Sequence, residues 1–378
     1  MKTKMKTKGI LLTFCLAALC ACGGPSSVRT VDVAAAAPAD LEEVATGYDV
    51  LPIDENATPL GSVSIVKRYG DKTFVCCRRE HRFFMYEGTT LAGVLDAYGR
   101  GPGEYSGDIE DFAFRQASSE LLVNDRSLPG FRIYKVPEMT WVRDEKHDFQ
   151  VGTFETVDAT HSLFSLEPEM DVAAGGQVQV WDHPAGAPSD RWETSFLEAL
   201  TLTELFLSRE PDGGILFGLS GPETRIMRAG AKGFEQAAEV ALVPDAFGPA
   251  VWEEKDFETL VEAWSAVMEK GQNVAVGAFA PQVNGEKVAF WYNTGYSSRF
   301  PFRLAVSAPE GGKAYSEVRV EGYPEPLQIV GTGEGQWCTV LQPGLLEDVP
   351  SPKGQLYPRL RELAAQGVET VLLFWSAV

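Results

Sequence analysis

Apolar and polar positions alternate along most of the chain in short runs separated by turn-forming residues. Leu60–Lys67, Thr73–Arg78, Phe83–Glu87 and Leu91–Ala97 are rich in Val, Phe and Leu, and are parted by Tyr69-Gly70-Asp71-Lys72, by Arg79–Arg82 and by Gly88. The same rhythm returns in Phe112–Arg115, Glu120–Asn124, Phe131–Val136 and Trp141–Asp144. It continues in Val178–Trp181, Ile215–Leu219, Arg225–Arg228, Lys287–Tyr292, Phe302–Ser307, Glu317–Glu321, Gln336–Gln342 and Glu369–Trp375. Short strands recurring every ~8–12 residues predict an all-β sandwich, barrel or propeller. About 330 residues of this pattern is long for one sandwich and suits a propeller of six or seven blades, at ~40–50 residues per blade. Blade-like units run over Gly61–Leu95, Ile109–Asp144 and Phe279–Val306.

Two segments follow a helical period instead. Glu253–Lys270 spaces Phe257, Leu260, Val261, Trp264, Val267 and Met268 along one face, opens on acidic residues and stops at Gly271. It predicts one amphipathic helix inserted in the β scaffold, packed on it or acting as a lid. A short second helix is expected at Tyr357–Gln366, before a last strand at Thr370–Trp375 that completes the blade begun near Leu60.

The N-terminus breaks the pattern differently. Lys2, Lys4, Lys6 and Lys8 precede an apolar run from Ile10 to Ala21, too short to cross a bilayer as a helix and the right length for the core of a signal peptide. The run ends Leu19-Cys20-Ala21-Cys22-Gly23, which resembles a bacterial lipobox. Cys22 follows a small residue and is the expected lipidation site, whereas Cys20 follows the bulky Leu19. The alternative is an ordinary secretory signal with an incidental Cys22. The resemblance implies a signal over 1–21, a lipidated Cys22 with a flexible tether over 22–47, and a folded domain over 48–378. Gly23–Ser27 carries no acidic run, which favours a periplasmic over a surface-exposed face.

Charge then narrows the classes. The chain has 53 Asp+Glu against 33 Lys+Arg, a net charge of −20; loss of residues 1–21 removes four lysines and no acids, leaving −24. Such a balance argues against nucleic acid as a partner. Of six cysteines, Cys76, Cys77 and Cys338 remain in the fold, an odd number with no zinc-type spacing. As neighbours on a strand, Cys76 and Cys77 face opposite sides, and small buried hydrophobes are the simplest reading; a bridge from Cys338 to one of them stays open.

Candidate chemistry is sparse. His81, His147, His161 and His183 show no metal-ligand spacing, and no metal or cofactor is expected. There is no serine-nucleophile elbow and no dinucleotide fingerprint. Arg78, Arg79, His81 and Arg82 form one basic knot in an acidic chain, either a solvated turn or a contact for an anionic ligand or glycan. Asp108, Glu110 and Asp111 form an acidic cluster, either turn acceptors or catalytic carboxylates. Tyr292-Asn-Thr-Gly-Tyr296-Ser-Ser-Arg299-Phe300 is an aromatic and polar stretch suited to sugar or peptide contact, or an ordinary hairpin tip.

Between the first and second blade-like units lies Tyr98-Gly99-Arg100-Gly101-Pro102-Gly103-Glu104-Tyr105, followed by Ile109-Glu110-Asp111-Phe112. The glycines permit close backbone approach and positive φ, Pro102 stiffens the turn, and Glu104 is placed to accept from the loop's own amides. A rigid crossing between blades is the simplest use; an anion loop is the alternative, though no P-loop Lys-Ser/Thr follows. This stretch, with the lipobox and Asn284–Phe290, resembles the signature of TolB-like or NHL-like six-bladed β-propeller lipoproteins of Bacteroidetes-type bacteria, a group without a characterised activity. The resemblance implies a six-bladed propeller held in the cell envelope by a lipid anchor, a fold and a location but not a reaction. Because propellers present loops from every blade around one axis, the expected role is non-catalytic binding or scaffolding toward an envelope protein, peptide or glycan. The alternative is an envelope hydrolase or lyase acting on glycans or peptides through carboxylates such as Asp108 or Asp111.

Overall fold

The computed structural model describes residues 28–54, 59–107, 109–147, 149–166, 177–194, 206–219, 224–244, 258–259, 261–262, 265, 278–293 and 302–378. The N-terminal part supplies β1 (Arg29–Asp32), β2 (Ala37–Asp40), a single helical turn α1 (Leu41–Val44) and β3 (Gly47–Ile53). Antiparallel meanders follow. The first holds β4 (Ile65–Tyr69), β5 (Lys72–Cys77), β6 (Arg82–Glu87) and β7 (Thr90–Asp96). The second holds β8 (Ile109–Arg115), β9 (Glu120–Asp125), β10 (Gly130–Lys135) and β11 (Thr140–Lys146). The third holds β12 (Val151–Thr156), β13 (His161–Leu166), β14 (Gln177–Asp182) and β15 (Ala187–Glu193). The fourth holds β16 (Ser208–Arg209), β17 (Ile215–Leu219), β18 (Thr224–Gly230) and β19 (Gly233–Val243), and the fifth β20 (Ala278–Asn284), β21 (Lys287–Asn293), β22 (Phe302–Ala308) and β23 (Gly311–Arg319). The chain ends with β24 (Gly331–Gly333), β25 (Gln336–Leu341), helix α2 (Leu356–Ala365) and β26 (Thr370–Ser376).

The result is a nearly all-β, propeller-like architecture. The leading strands touch one another around a common axis, β4 on β8, β8 on β12, and β16 on both β20 and β24. Parallel pairing of β24 with β4 joins the end of the chain to the first meander in one eight-stranded sheet, β3-β26-β25-β24-β4-β5-β6-β7. Burial follows position. β9, near the axis and covered on both faces, is buried at all six positions, whereas the outermost β15 alternates exposed and half-buried residues. Cys76 packs into one apolar cluster while Cys77 and Cys338 pack into another, and all three are buried thiols. Around Trp291, Trp337 and Trp375 the rings meet edge to face at 4.8 to 5.9 Å, and the Trp337 indole donates to the Ala280 carbonyl at 2.6 Å. Leu356, Tyr357, Leu360 and Leu363 of α2 pack on this cluster, as the predicted second helix requires.

Two expectations change, and a third lies mostly outside the described residues. The stretch 29–47, read as tether, is folded: β1 pairs in parallel with β19 and β2 in parallel with β23, each as a fifth, outermost strand. Its small residues suit an edge strand as well as they suit a linker, and only the distant partner strand distinguishes the two. The ring closes through β26 on β3, one strand earlier than the Leu60 region, with β24 alone reaching β4. The helix expected over Glu253–Lys270 falls mostly outside the described residues; Val261, Glu262 and Ser265 are helical, and Val261 is exposed rather than packed inward.

The meander order defines two ends. One, the hairpin end, holds the turns from each leading strand to its partner and the turns into each outermost strand. The other, the connection end, holds the crossings between meanders and the loops joining second to third strands.

Candidate functional site

The connection end gathers most of the residues singled out in the sequence. Arg78, Arg79 and Glu80 form a 3₁₀ turn between β5 and β6, and His81 closes it with φ +54°. The His81 ring stacks on Tyr98 of the glycine loop at 4.1 Å, its carbonyl accepts from the Tyr105 hydroxyl, and the Arg78 guanidinium donates to the Glu110 carbonyl. The basic knot, the glycine loop and the start of β8 therefore form one surface. Arg82 is paired with Asp96 at 3.0 Å, and Glu80 turns back to accept from the Ser62 amide at 3.0 Å. Arg79 is exposed and has no carboxylate partner among the described residues, and Tyr98 is 57% exposed. Beside the knot runs a groove of about 500 Å³, lined by Leu60, Gly61, Gln342, Leu345 and Val368 at the seam between the last and first meanders. Glu80 lies against Gly61, which puts the knot next to one edge of this groove without lining it. The sequence did not reveal the groove, because its two walls are some 280 positions apart.

The glycine loop is a structural crossing. Glu104 accepts from the Gly101 amide at 2.6 Å, and a Cβ at Gly99 would fall on the Glu104 carboxylate. Gly103 has φ +76° and lies against Trp141, leaving no room for a side chain. Tyr134 donates to the Gly103 carbonyl at 2.8 Å. With Glu104 bound to its own loop, that carboxylate repels rather than invites an anion.

Asp111 lies elsewhere, at the axis. It is buried, accepts from the Phe112 amide at 2.8 Å and the Phe154 amide at 2.9 Å, and pairs with Lys67 at 2.9 Å. Glu155 stands 3.6 Å from the same ammonium and accepts from Tyr69 at 2.8 Å and from the Thr156 amide at 2.7 Å. Burial, and next the Glu155 charge, push the Tyr69 hydroxyl well above the ordinary tyrosine range, so it stays protonated and donates. Leading strands β4, β8 and β12 thus place two carboxylates on one lysine. Both acids are sealed and saturated with donors, an arrangement that joins three meanders and offers no open carboxylate for general acid or base work. Asp111, read as a ligand contact, is an internal ion-pair residue. Cys22, Asp108, Tyr296 and Arg299 lie outside the described residues.

The sequence also missed a polar relay between the second and third meanders. Ser162 Oγ is 2.9 Å from His183 Nε2, and His183 Nδ1 is 2.6 Å from Glu145 Oε1. The Arg115 guanidinium, which can only donate, stands 3.1 Å from the same Nε2. Nε2 therefore accepts, and Nδ1 carries the proton toward Glu145. Burial acts to raise the Glu145 carboxyl, but the His183 hydrogen bond and the nearby Arg115 charge outweigh it and hold it below the usual range. The order serine, histidine, acid is that of a nucleophilic triad. Ser162 is nonetheless fully buried, and the lone pair it would need is shared with Arg115, so no substrate carbonyl can reach it. Arg115 and Arg143 also clamp Glu120, at 3.2 and 2.7 Å. The cluster fastens the second meander to the third.

No known family profile matches the chain, and no curated protein matches it. Among solved structures, a protein of Bacteroides fragilis inferred to be exported aligns with a TM-score of 0.63 at 9% identity, over 93% of this chain and 99% of that one. A DUF4221 family member from Bacteroides vulgatus aligns with a TM-score of 0.47 at 9% identity, over 88% and 96% of the two chains. BamB from Moraxella catarrhalis aligns with a TM-score of 0.36 at 10% identity, over 75% and 65%. At such identities the first likeness speaks for the fold. It agrees with the resemblance to Bacteroidetes-type propeller proteins drawn from the Gly99–Tyr105 loop.

Proposed function

We propose that the protein is a cell-envelope binding or scaffolding module, a six-bladed propeller anchored through lipid on Cys22. Counting the two halves of the eight-stranded sheet as separate blades gives six: four from β4 to β19, one led by β20, and one made of β24, β25, β26 and the N-terminal β3. The signal anatomy of residues 1–22 supports envelope placement, and the structure of similar fold belongs to a protein inferred to be exported.

The observation that carries the binding reading is the contrast in how charge is held. At the axis the carboxylates of Asp111 and Glu155 are buried and paired, whereas the connection end exposes Arg79, without a carboxylate partner among the described residues, and the stacked His81–Tyr98 pair near a groove. An exposed aromatic face next to a cation suits an anionic peptide segment or an acidic glycan. The test compares the wild-type chain with Tyr98→Ala and Arg79→Glu in envelope pull-downs and on a glycan array. Capture that both variants lose supports the reading; equal capture by all three proteins overturns it. Hydrolysis of any glycan or peptide by the purified protein would replace it with the enzyme reading.

A further inference from the structure

We propose that the surface built on the glycine loop binds an acidic oligosaccharide, with Tyr98 and Trp141 as two stacking platforms and Arg79 and Arg100 as the groups that meet its carboxylates. The proposal rests on the binding reading above and narrows its ligand from an anionic peptide or glycan to a sugar chain bearing carboxylates.

The platforms come first. Tyr98 opens the loop, with its ring stacked on His81 at 4.1 Å and 57% exposed. Trp141, on β11, packs on Gly103 further along the same loop and is 43% exposed. Tyr98 forms a parallel bridge with Tyr105, two residues beyond Gly103. The Cα atoms of Gly103 and Tyr98 therefore lie within about 13 Å of each other. Both platforms are fixed in place. Tyr105 donates to the His81 carbonyl, Tyr134 donates to the Gly103 carbonyl at 2.8 Å, and the Trp141 indole donates to Asp144 at 3.1 Å. Rigid amphipathic rings give contact area with little loss of rotamer freedom on binding. Two of them held this close suit successive rings of one short sugar chain.

Charge comes second. Arg78, Arg79, Arg82, Arg100 and Arg126 gather on this part of a strongly acidic chain. Its described carboxylates are engaged: Glu80 by the Ser62 amide, Asp96 by Arg82, Glu104 by the Gly101 amide and Glu110 by Arg126 at 2.5 Å. Arg79 and Arg100 are exposed, have no carboxylate partner among the described residues, and stand two positions from His81 and Tyr98 respectively. A guanidinium meets a carboxylate through two parallel hydrogen bonds, so a sugar acid stacked on Tyr98 has a matching cation on either side.

The backbone favours a sugar over a peptide. Extended peptides are held largely by main-chain hydrogen bonds. This loop uses its own: Gly99 donates to the Tyr105 carbonyl and Tyr105 to the Ala97 carbonyl, both at 2.9 Å, Glu104 to the Gly101 carbonyl at 3.0 Å, and Gly101 to the Glu104 carboxylate at 2.6 Å. What remains on offer is ring faces and guanidinium groups.

The test is calorimetric titration of the full-length chain in detergent micelles. The acidic probes are hexagalacturonate, hexamannuronate and a hyaluronan hexasaccharide; maltohexaose is the neutral control and hexaglutamate the anionic peptide. At least one acidic sugar is expected to bind about tenfold or more tightly than both controls, with an affinity that falls as salt rises. Trp141→Ala should weaken that hexamer by about tenfold and leave the matching disaccharide unchanged, whereas Trp141→Phe, which keeps a ring on Gly103, should stay within about threefold of wild type. Arg79→Gln combined with Arg100→Gln, both at exposed positions, should remove most of the salt dependence. Failure of all three acidic sugars to bind, or equal binding of maltohexaose, overturns the proposal. Tighter binding of hexaglutamate, lost in Tyr98→Ala and Arg79→Glu, overturns the sugar assignment and leaves the binding reading standing. If no probe binds and envelope capture is also the same for wild type and those two variants, both fall.

Discussion

Lys67 and Arg79 are both cations in a chain with a large excess of acids, and they sit about as differently as two cations can. Lys67 is buried on the axis between Asp111 and Glu155, with the Phe154 carbonyl at 3.0 Å as a further acceptor. Arg79, twelve residues on, is exposed on a turn with no carboxylate beside it among the described residues. The first charge is fixed by three leading strands converging on one point, and its removal would leave two acids without compensation. The second has no such ties among the described residues and is open to solvent. Acid content alone does not tell these situations apart; strand position does.

The sharpest way to break this contrast is Lys67→Met. It strands two buried carboxylates, and loss of one partner from a buried ion pair typically costs ~3–5 kcal/mol. A fall in the denaturation midpoint of that order is expected, with no change in the apparent size of the unfolding transition. If the midpoint barely moves, the axial cluster is not a joint between meanders. Gly99→Ala comes next. The new methyl would displace the Glu104 carboxylate from the Gly101 amide, and the loss of that hydrogen bond with the accompanying strain should cost about 1–2 kcal/mol, read by the same unfolding curves.

A gentler probe is acid. Glu145 and Glu120 are held below the ordinary carboxylate range, Glu120 because Arg143, Ser118 and Arg115 outweigh its burial. A depressed folded-state value means that the stabilising contribution is complete above the unfolded-state value, about 4.3, and is lost as pH falls through the lower folded value. Thermal stability should therefore decline below about pH 4.5, and Glu145→Gln should make that decline shallower. A decline of unchanged slope would remove the Glu145–His183 contact from the account. Arg79→Glu lies at the small end: a surface change of this kind should alter stability by less than about 0.5 kcal/mol. A larger loss would mean that Arg79 is tied to the fold after all, and the contrast with Lys67 would narrow.

The strands nearest the axis were legible because burial on both faces demands apolar runs: β5 (Lys72–Cys77) and β9 (Glu120–Asp125) stand out in the sequence. The outer β15 was missed because Ala-Pro-Ser-Asp-Arg-Trp-Glu has little apolar surface to bury and pairs on one edge only. β1 and β2 were missed for a related reason. Four-residue strands, Arg-Thr-Val-Asp and Ala-Pro-Ala-Asp, are too short to show a pattern of their own, and their partners lie more than 200 positions away. The site divided the same way. The Arg78–Arg82 knot and the Gly99–Tyr105 loop were visible as local motifs, and Glu104 binds its own loop as its position implied. That Asp111 meets Lys67, or that Ser162, His183, Glu145 and Arg115 meet at all, depends on how meanders stack.

The sequence by itself determined the strand rhythm, the acidic composition and the stiff glycine crossing. Each follows from interactions between residues close along the chain. Only the tertiary structure decided which charges are sealed and which are exposed, where the groove lies, and that the stretch 29–40, read as tether, forms edge strands. Those outcomes depend on ring closure, which sets distant strands side by side and so fixes burial and direction that no local pattern encodes.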